Sequence, residues 1–227
     1  MNIYVVVEGE IGEKKLYEQW IPYVNKNLSY VPTINQVSSN NFFIQRGGGF
    51  PNYFGVIKDA ITDVRNLKNA QEMPLFDRLV IVIDSEDYTF NQKMLEIVDY
   101  VTPIIGNTYL DYKVIIQHFC LETWGLANKK ITTSNIQNVK LLNYKKIFDV
   151  ALNDPENLPD LIEEDLNRAQ FASKYLRLLL NNKFRNLTYN KSDPGPLINQ
   201  KYYNEVLNRH TTDMHITSFG TFLSAFI

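Results

Sequence analysis

Two short runs of β-branched residues, each ending in acid, constrain this chain more than any other feature of it. Ile3-Tyr4-Val5-Val6-Val7 leads into Glu8-Gly9-Glu10-Ile11-Gly12-Glu13, and Leu79-Val80-Ile81-Val82-Ile83 leads into Asp84-Ser85-Glu86-Asp87. Unbroken apolar runs of this length, each followed by a helical pattern, mark inner parallel strands with both faces covered. Ligands of such sheets sit at the carboxyl ends of the strands. Acids placed there from distant parts of the chain are therefore expected to converge. Converged carboxylates repel one another unless a cation neutralises them, and hard oxygen donors with no His or Cys set nearby favour Mg²⁺, or Mn²⁺. The chemistry suggested is metal-assisted phosphoryl transfer.

The rest of the N-terminal half repeats the strand-then-helix theme. Leu16, Trp20, Ile21 and Val24 keep helical spacing after the first cluster. Asn41 to Gln45 reads as a strand that ends in Arg46-Gly47-Gly48-Gly49-Phe50-Pro51, with a helix beyond it carrying Tyr53, Val56, Ile57, Ala60, Ile61 and Val64. A third unit joins strand 79–83 to a helix of about 90–102, and a fourth strand, 113–117, runs into His118-Phe119-Cys120-Leu121-Glu122-Thr123-Trp124. Four alternations of this kind predict an α/β fold with a mostly parallel, helix-covered sheet over residues 1–150. Residues 151–227 read as a mainly helical appendage packed on that sheet or completing it. Its parts are a connection from Asn153 to Asp165, a helix from about Leu161 to Asn181, a turn-rich loop over 186–196, and helices near 199–209 and 216–226.

Composition excludes several classes. With one cysteine, Cys120, no internal disulfide can form, and neither a membrane-length apolar run nor a basic-then-apolar leader is present. A cytoplasmic location is expected and no membrane association. A net charge of −2 argues against coating of nucleic acid by bulk electrostatics and leaves open a local basic groove beside an acidic site, so any contact with a polyanion must be built from a few placed residues.

Three motifs in register carry a family resemblance. Glu8-Gly9-Glu10-x-x-Glu13 with Leu16-Tyr17, Asp84-x-Glu86-Asp87-Tyr88, and Cys120-x-Glu122-x-Trp124-x-Leu126 together resemble the RloB-like TOPRIM proteins of bacterial anti-phage operons. The likeness covers residues 3–130 well and the last 40 loosely. It implies a TOPRIM-like fold and a Mg²⁺-dependent nuclease acting on DNA or RNA beside an ATPase of the ABC or OLD type. It also implies that Glu8 does acid–base or metal chemistry, that Asp84 is the first metal-binding aspartate, and that Lys191 of Tyr189-x-Lys191 holds the scissile phosphate. Glu86 stands where the family has Asp, and Asp87 beside it is a possible replacement ligand.

Each residue also has a plainer reading. Acids past a strand end are often loop residues or caps, and Asp84 or Ser85 would serve to cap the next helix. Glu13 lies in the first turn of a helix, where it either reaches the metal or is there because the dipole favours acid. Glu122 is costly to bury among Phe119, Leu121 and Trp124 unless it is paired or near a cation. His118 is either a hydrogen-bonding group near the metal or a satisfied strand-end residue. Arg46, Gly47 and Gly48 either cradle a backbone phosphate or make a turn that needs positive φ.

Two functions follow: a metal-dependent nuclease, or a catalytically quiet TOPRIM-like module that binds an ATPase or nucleic acid, with Asp84-x-Glu86 a degenerate motif. A partner surface is expected at Tyr202, Tyr203, Phe219, Phe222 and Phe226, the alternative being that these aromatics close the core. The sequence does not set the oligomeric state, a homodimer being one option.

Overall fold

A computed structural model of the chain describes residues 1–184 and 189–227. Arg185, and Asn186, Leu187 and Thr188 of the expected loop, lie outside the described residues. The predicted inner strands are β1 (Ile3–Val7) and β4 (Arg78–Asp84), flanked by β3 (Asn41–Arg46) and β5 (Tyr112–Gln117), with the two-residue β2 (Ser29–Tyr30) at one edge. All pairings are parallel and the strand order is β2-β3-β1-β4-β5. The fold is thus the expected helix-covered α/β sheet of TOPRIM-like layout.

Both faces are covered because alternate side chains of the central strands point to opposite sides. Tyr4, Val6, Leu79, Ile81 and Ile83 pack under α2 (Asn52–Asn66) and α3 (Phe90–Ile105). Ile3, Val5, Val7, Val80 and Val82 pack under α1 (Ile11–Val24) and share one core with the C-terminal helices. Those are α4 (Leu121–Leu126), α5 (Val139–Ile147), α6 (Arg168–Lys183), α7 (Gln200–Asp213) and α8 (Phe219–Ala225).

The aromatic residues expected at a partner surface lie in this core. Tyr202 and Tyr203 are 4% and 3% exposed, and Phe219, Phe222 and Phe226 are wholly buried. Phe222 meets Tyr17, Trp20 and Trp124 at ring separations of 5.5, 6.2 and 6.0 Å. A one-sided helix pattern identifies a buried face but not what covers it, and here the cover is the sheet's own α1 and α4. The partner-surface expectation is corrected accordingly.

α6 also starts later than expected. Asn167 and Gln170 form a reciprocal capping box at its first turn. Leu161 and Leu166 instead close an isolated bridge around a short 3₁₀ turn, Ile162–Glu164. Neither Asp84 nor Ser85 caps α3, since that role falls to Thr89 paired with Gln92.

No helix among the described residues is long and apolar enough to cross a membrane.

Candidate functional site

The chain reverses direction across the sheet at β1 and β4: α1 leads from β1 toward β2 and β3, and the next crossover returns to β4 on the other side. A crevice opens at the carboxyl ends of two such strands. Glu8 follows β1 and Asp84 ends β4, and they are tied directly, the Asp84 N–H donating to Glu8 Oε2 at 2.9 Å. Glu13 reaches the same place from the first turn of α1. It is buried, accepts the Gly9 N–H at 2.5 Å, and accepts a short hydrogen bond from the amide of Gln117. Gln117 stands opposite Asp84 in the β4–β5 register.

Glu13 and Asp84 line a cavity of about 320 Å³ whose walls also include Gly9, Glu10, Glu122, Tyr189 and Lys191. Glu122, 2% exposed, sits in α4 and accepts hydrogen bonds from Tyr189 Oη at 2.9 Å and Ser173 Oγ at 3.2 Å. Its burial is thus offset by two hydroxyl donors. Lys191 arrives on the 189–194 loop, which lies directly on α1. A Cβ added to Gly12 would stand 1.7 Å from the Lys191 carbonyl oxygen, so only glycine permits this approach.

The electrostatics follow from crowding acids into a partly dry crevice. Burial lifts the Glu8 carboxyl to about 6; the Asp84 N–H opposes this, Glu86 adds to it, and Lys93 and Lys191 oppose it. Burial likewise raises Glu13 to about 7, against the Gly9 and Gln117 donors and with the like charges of Glu8 and Glu122. Asp84 is pushed well above the carboxylate range by burial and then by Glu13 and Glu8. The Lys191 ammonium is held above its ordinary value, chiefly by Glu122. It makes no ion pair within 4 Å among the described residues, so its donors are available to a ligand.

Two inner oxygens bear on the metal expectation. Asp84 Oδ1 and Gln117 Oε1 are shut off from solvent and have no hydrogen-bond partner among the described residues. An orphaned buried carboxylate oxygen is costly unless a proton or cation meets it. Both lie on neighbouring strands among acids of raised proton affinity, a hard-oxygen donor set of the kind that suits Mg²⁺ or Mn²⁺. Among the described residues no three His, Cys, Asp or Glu side chains form a ready-made cation cage. It is the donor set, not a finished cage, that fits the ion.

The other expected residues are placed less centrally. Glu86 and Asp87 are exposed on the turn after β4, Glu86 with a φ of 47°. Glu86 lies near enough to raise Glu8, whereas Asp87 joins none of the contacts described. His118 donates to or accepts from Ser85 Oγ at 2.6 Å. Burial and the Arg168 guanidinium hold its imidazole down at about 4, so it is neutral at pH 7.

In the glycine loop, the Gly47 N–H bonds Val7 O at 2.7 Å and the Gly49 N–H bonds Glu8 O at 2.9 Å. Gly48 and Gly49 hold φ values of 77° and 73°. The loop therefore splices β3 to the end of β1, and two of its N–H groups are spent on that job. Arg46 pairs with Glu10 at 3.3 Å on the surface.

Sequence reasoning passed over four contributors. Gln117 was visible as a polar end to an apolar strand. Tyr17, one helical turn beyond Glu13, has a buried hydroxyl without a partner among the described residues and a pKa raised by burial, Glu13 and Asp84. Lys93 is buried, pairs with Glu96 at 2.6 Å and lies 4.5 Å from the Tyr88 ring. Ser173, on α6, had no local signal at all.

Compared with known proteins, the chain matches no family model, no curated protein and no solved structure.

Proposed function

We propose that this protein is a metal-dependent nuclease of TOPRIM type that hydrolyses phosphodiesters of DNA or RNA. The observation that carries the reading is the meeting of Glu8, Glu13 and Asp84 at the β1/β4 crevice, with an Asp84 oxygen orphaned among the described residues and the Lys191 ammonium at the same cavity, outside any ion pair among them. Glu8 and Asp84 would hold a divalent ion, with Glu13 and Gln117 behind them. Such an ion, when bound, neutralises the acids and polarises a phosphoryl oxygen.

The chain's own groups supply the rest. Lys191 offers three N–H donors to a phosphate oxygen and to the charge that grows on it in the transition state. Glu8, with a pKa of about 6, is suited to taking or giving a proton near neutral pH. Tyr189 and Ser173 keep Glu122 fixed beneath the phosphate position. By resemblance the partner is an ABC- or OLD-type ATPase in the bacterial cytoplasm, and the nuclease acts as the effector of an anti-phage system.

One observation favours the quiet-module reading instead: both Glu13 oxygens are already engaged by Gly9 and Gln117, as in a purely structural acid. Incubating purified protein with supercoiled plasmid and with total tRNA, in Mg²⁺ or Mn²⁺ against EDTA, decides between them. Metal-dependent loss of either substrate is expected. Intact substrates under every metal condition, with and without an added partner ATPase, would leave the quiet module.

A further inference from the structure

The acid cavity alone is a poor place for a polyanion. Four carboxylates, Glu10, Glu13, Asp84 and Glu122, line it with one ammonium, Lys191, and Glu8 and Glu86 add negative groups nearby. If nucleic acid is cut here, its backbone must be held by positive charge that these acids do not already balance.

That charge lies next door. A second cavity, of about 420 Å³, is lined by Asn167, Gln170, Ser173, Lys174 and Arg177 of α6 with Glu86 and Lys191 opposite. Gln170, Ser173 or Lys174, and Arg177 follow one another at spacings of three or four and so form one face of α6, with its N-cap Asn167 at the end. Lys191 lines both cavities, and Ser173, which donates to Glu122, ties the wall of the second to the floor of the first. Arg177 is exposed and Lys174 half-buried, and neither takes part in an ion pair among the described residues. Two cations outside any such pair, flanked by the Asn167 and Gln170 side-chain amides, form a surface complementary to phosphate, arginine in particular matching phosphate oxygens two at a time.

We infer that the α6 face Asn167–Arg177 is a track for the sugar-phosphate backbone of single-stranded nucleic acid, which passes from Arg177 and Lys174 to Lys191 at the acid site. This rests on the nuclease reading for its purpose but not for its test. A single strand is the occupant because the cavity that joins the α6 cations to Lys191 has a volume of about 420 Å³, room for one backbone and not for a duplex. Phosphate contacts of this kind fix position and register and are indifferent to sequence.

The test is the salt dependence of binding of a labelled single-stranded DNA and a labelled single-stranded RNA, measured in EDTA and again in Ca²⁺ by fluorescence anisotropy. Lys174→Ala/Arg177→Ala should weaken binding roughly tenfold or more at low salt, and reduce the slope of log K against log salt by about 1.4, the value for two lost contacts to a single strand. The control Lys58→Ala/Lys68→Ala removes equal charge from exposed positions on and just after α2, across the sheet, and should leave both quantities unchanged. Equal loss in both double variants, unchanged binding in the α6 variant, tighter binding of duplex than of single strands, or no binding by the wild type would each overturn the inference. Binding through α6 without cleavage in any metal sinks the nuclease reading and leaves the track standing. Cleavage with an unchanged KM in the α6 variant does the opposite.

Discussion

The α-carbon of Gly12 faces the backbone of Lys191 so closely that an added methyl carbon would stand 1.7 Å from the Lys191 carbonyl oxygen. The first turn of the helix that carries Glu13 thus serves as the bed for the loop that carries Lys191. Acid and ammonium, 178 residues apart in the chain by their numbers, are held in place by one missing side chain.

Gly12→Ala therefore sets two effects against each other. Ala in a helix is favoured over Gly by about 1 kcal/mol. The collision is with backbone and not with a flexible tip, and overpacking of that kind costs about 1–3 kcal/mol or more. The collision wins, so thermal unfolding should show a lower melting temperature, and cleavage should fall to the level of Lys191→Ala as the loop moves off α1. A higher melting temperature with full activity would show that the loop does not need this seat.

Asp84→Asn tests the metal assignment through stability as well as activity. Burial and its neighbours make the Asp84 charge unfavourable, so the isosteric amide should raise metal-free stability while abolishing cleavage. In the wild type, a divalent ion at about 100 times its dissociation constant should add about 2.7 kcal/mol to unfolding. The variant should lose that increment. An equal rise in melting temperature with Mn²⁺ in both proteins would place the ion elsewhere.

Much of this site was legible in the sequence, and the part that was not has a physical cause. β1 and β4 announce themselves because strands buried on both faces need unbroken apolar runs, and their end acids follow at once. Glu13 was ambiguous because dipole preference and site chemistry ask for the same residue at the same place. The 161–166 stretch looked helical because Leu161 and Ile162 continue an apolar pattern, yet Leu161 is buried in a bridge and Ile162 is 88% exposed. Ser173, Lys174 and Arg177 reach the site only because α6 packs against α4, a tertiary fact with no trace in local periodicity.

Glu86 and Asp84 should respond in opposite ways to a change of one methylene. The inner Asp84 oxygen is sealed from solvent, so Asp84→Glu forces an extra carbon into occupied space and should lower cleavage by two orders of magnitude or more, on the order of 3 kcal/mol. Glu86 is exposed with positive φ, a conformation Asp tolerates well, so Glu86→Asp should keep most of the activity. Equal losses measured in a cleavage assay would mean that the ion is anchored on the turn and not on the strand end.

The acid limb of stability should carry the signature of His118. Its folded pKa, about 4, lies below the ordinary 6.5 because of burial and Arg168, with Asp154 opposing. The unfolded chain therefore binds more protons between these values, and the contribution of His118 is complete above pH 6.5 and is lost as pH falls toward 4. After discounting for partial exposure, the loss is about 1–2 kcal/mol. Denaturant unfolding of wild type and His118→Gln should give a stability difference that shrinks by this amount between pH 7 and 4.5. Effects of the carboxylate cluster cancel in the difference, since both proteins carry it; a flat difference curve would mean that His118 titrates normally.

The C-terminal aromatics make the last prediction a matter of folding rather than of partners. Phe222 is wholly buried and touches Tyr17, Trp20, Trp124 and Phe226 around the core that α1 shares with α4. Phe222→Ala leaves a cavity in that core and should cost about 3–5 kcal/mol. Removal of everything after Asn199 strips α7 and α8 from the same sheet face, exposing Trp20 and Trp124, and should abolish cooperative unfolding in near-UV circular dichroism and denaturant titration. A truncated protein that unfolded as sharply as the whole chain would show that the sheet stands without them. In that case the aromatic cluster would again be a candidate surface for an ATPase partner. If the expected collapse is seen, any such partner must bind a face that the fold leaves open.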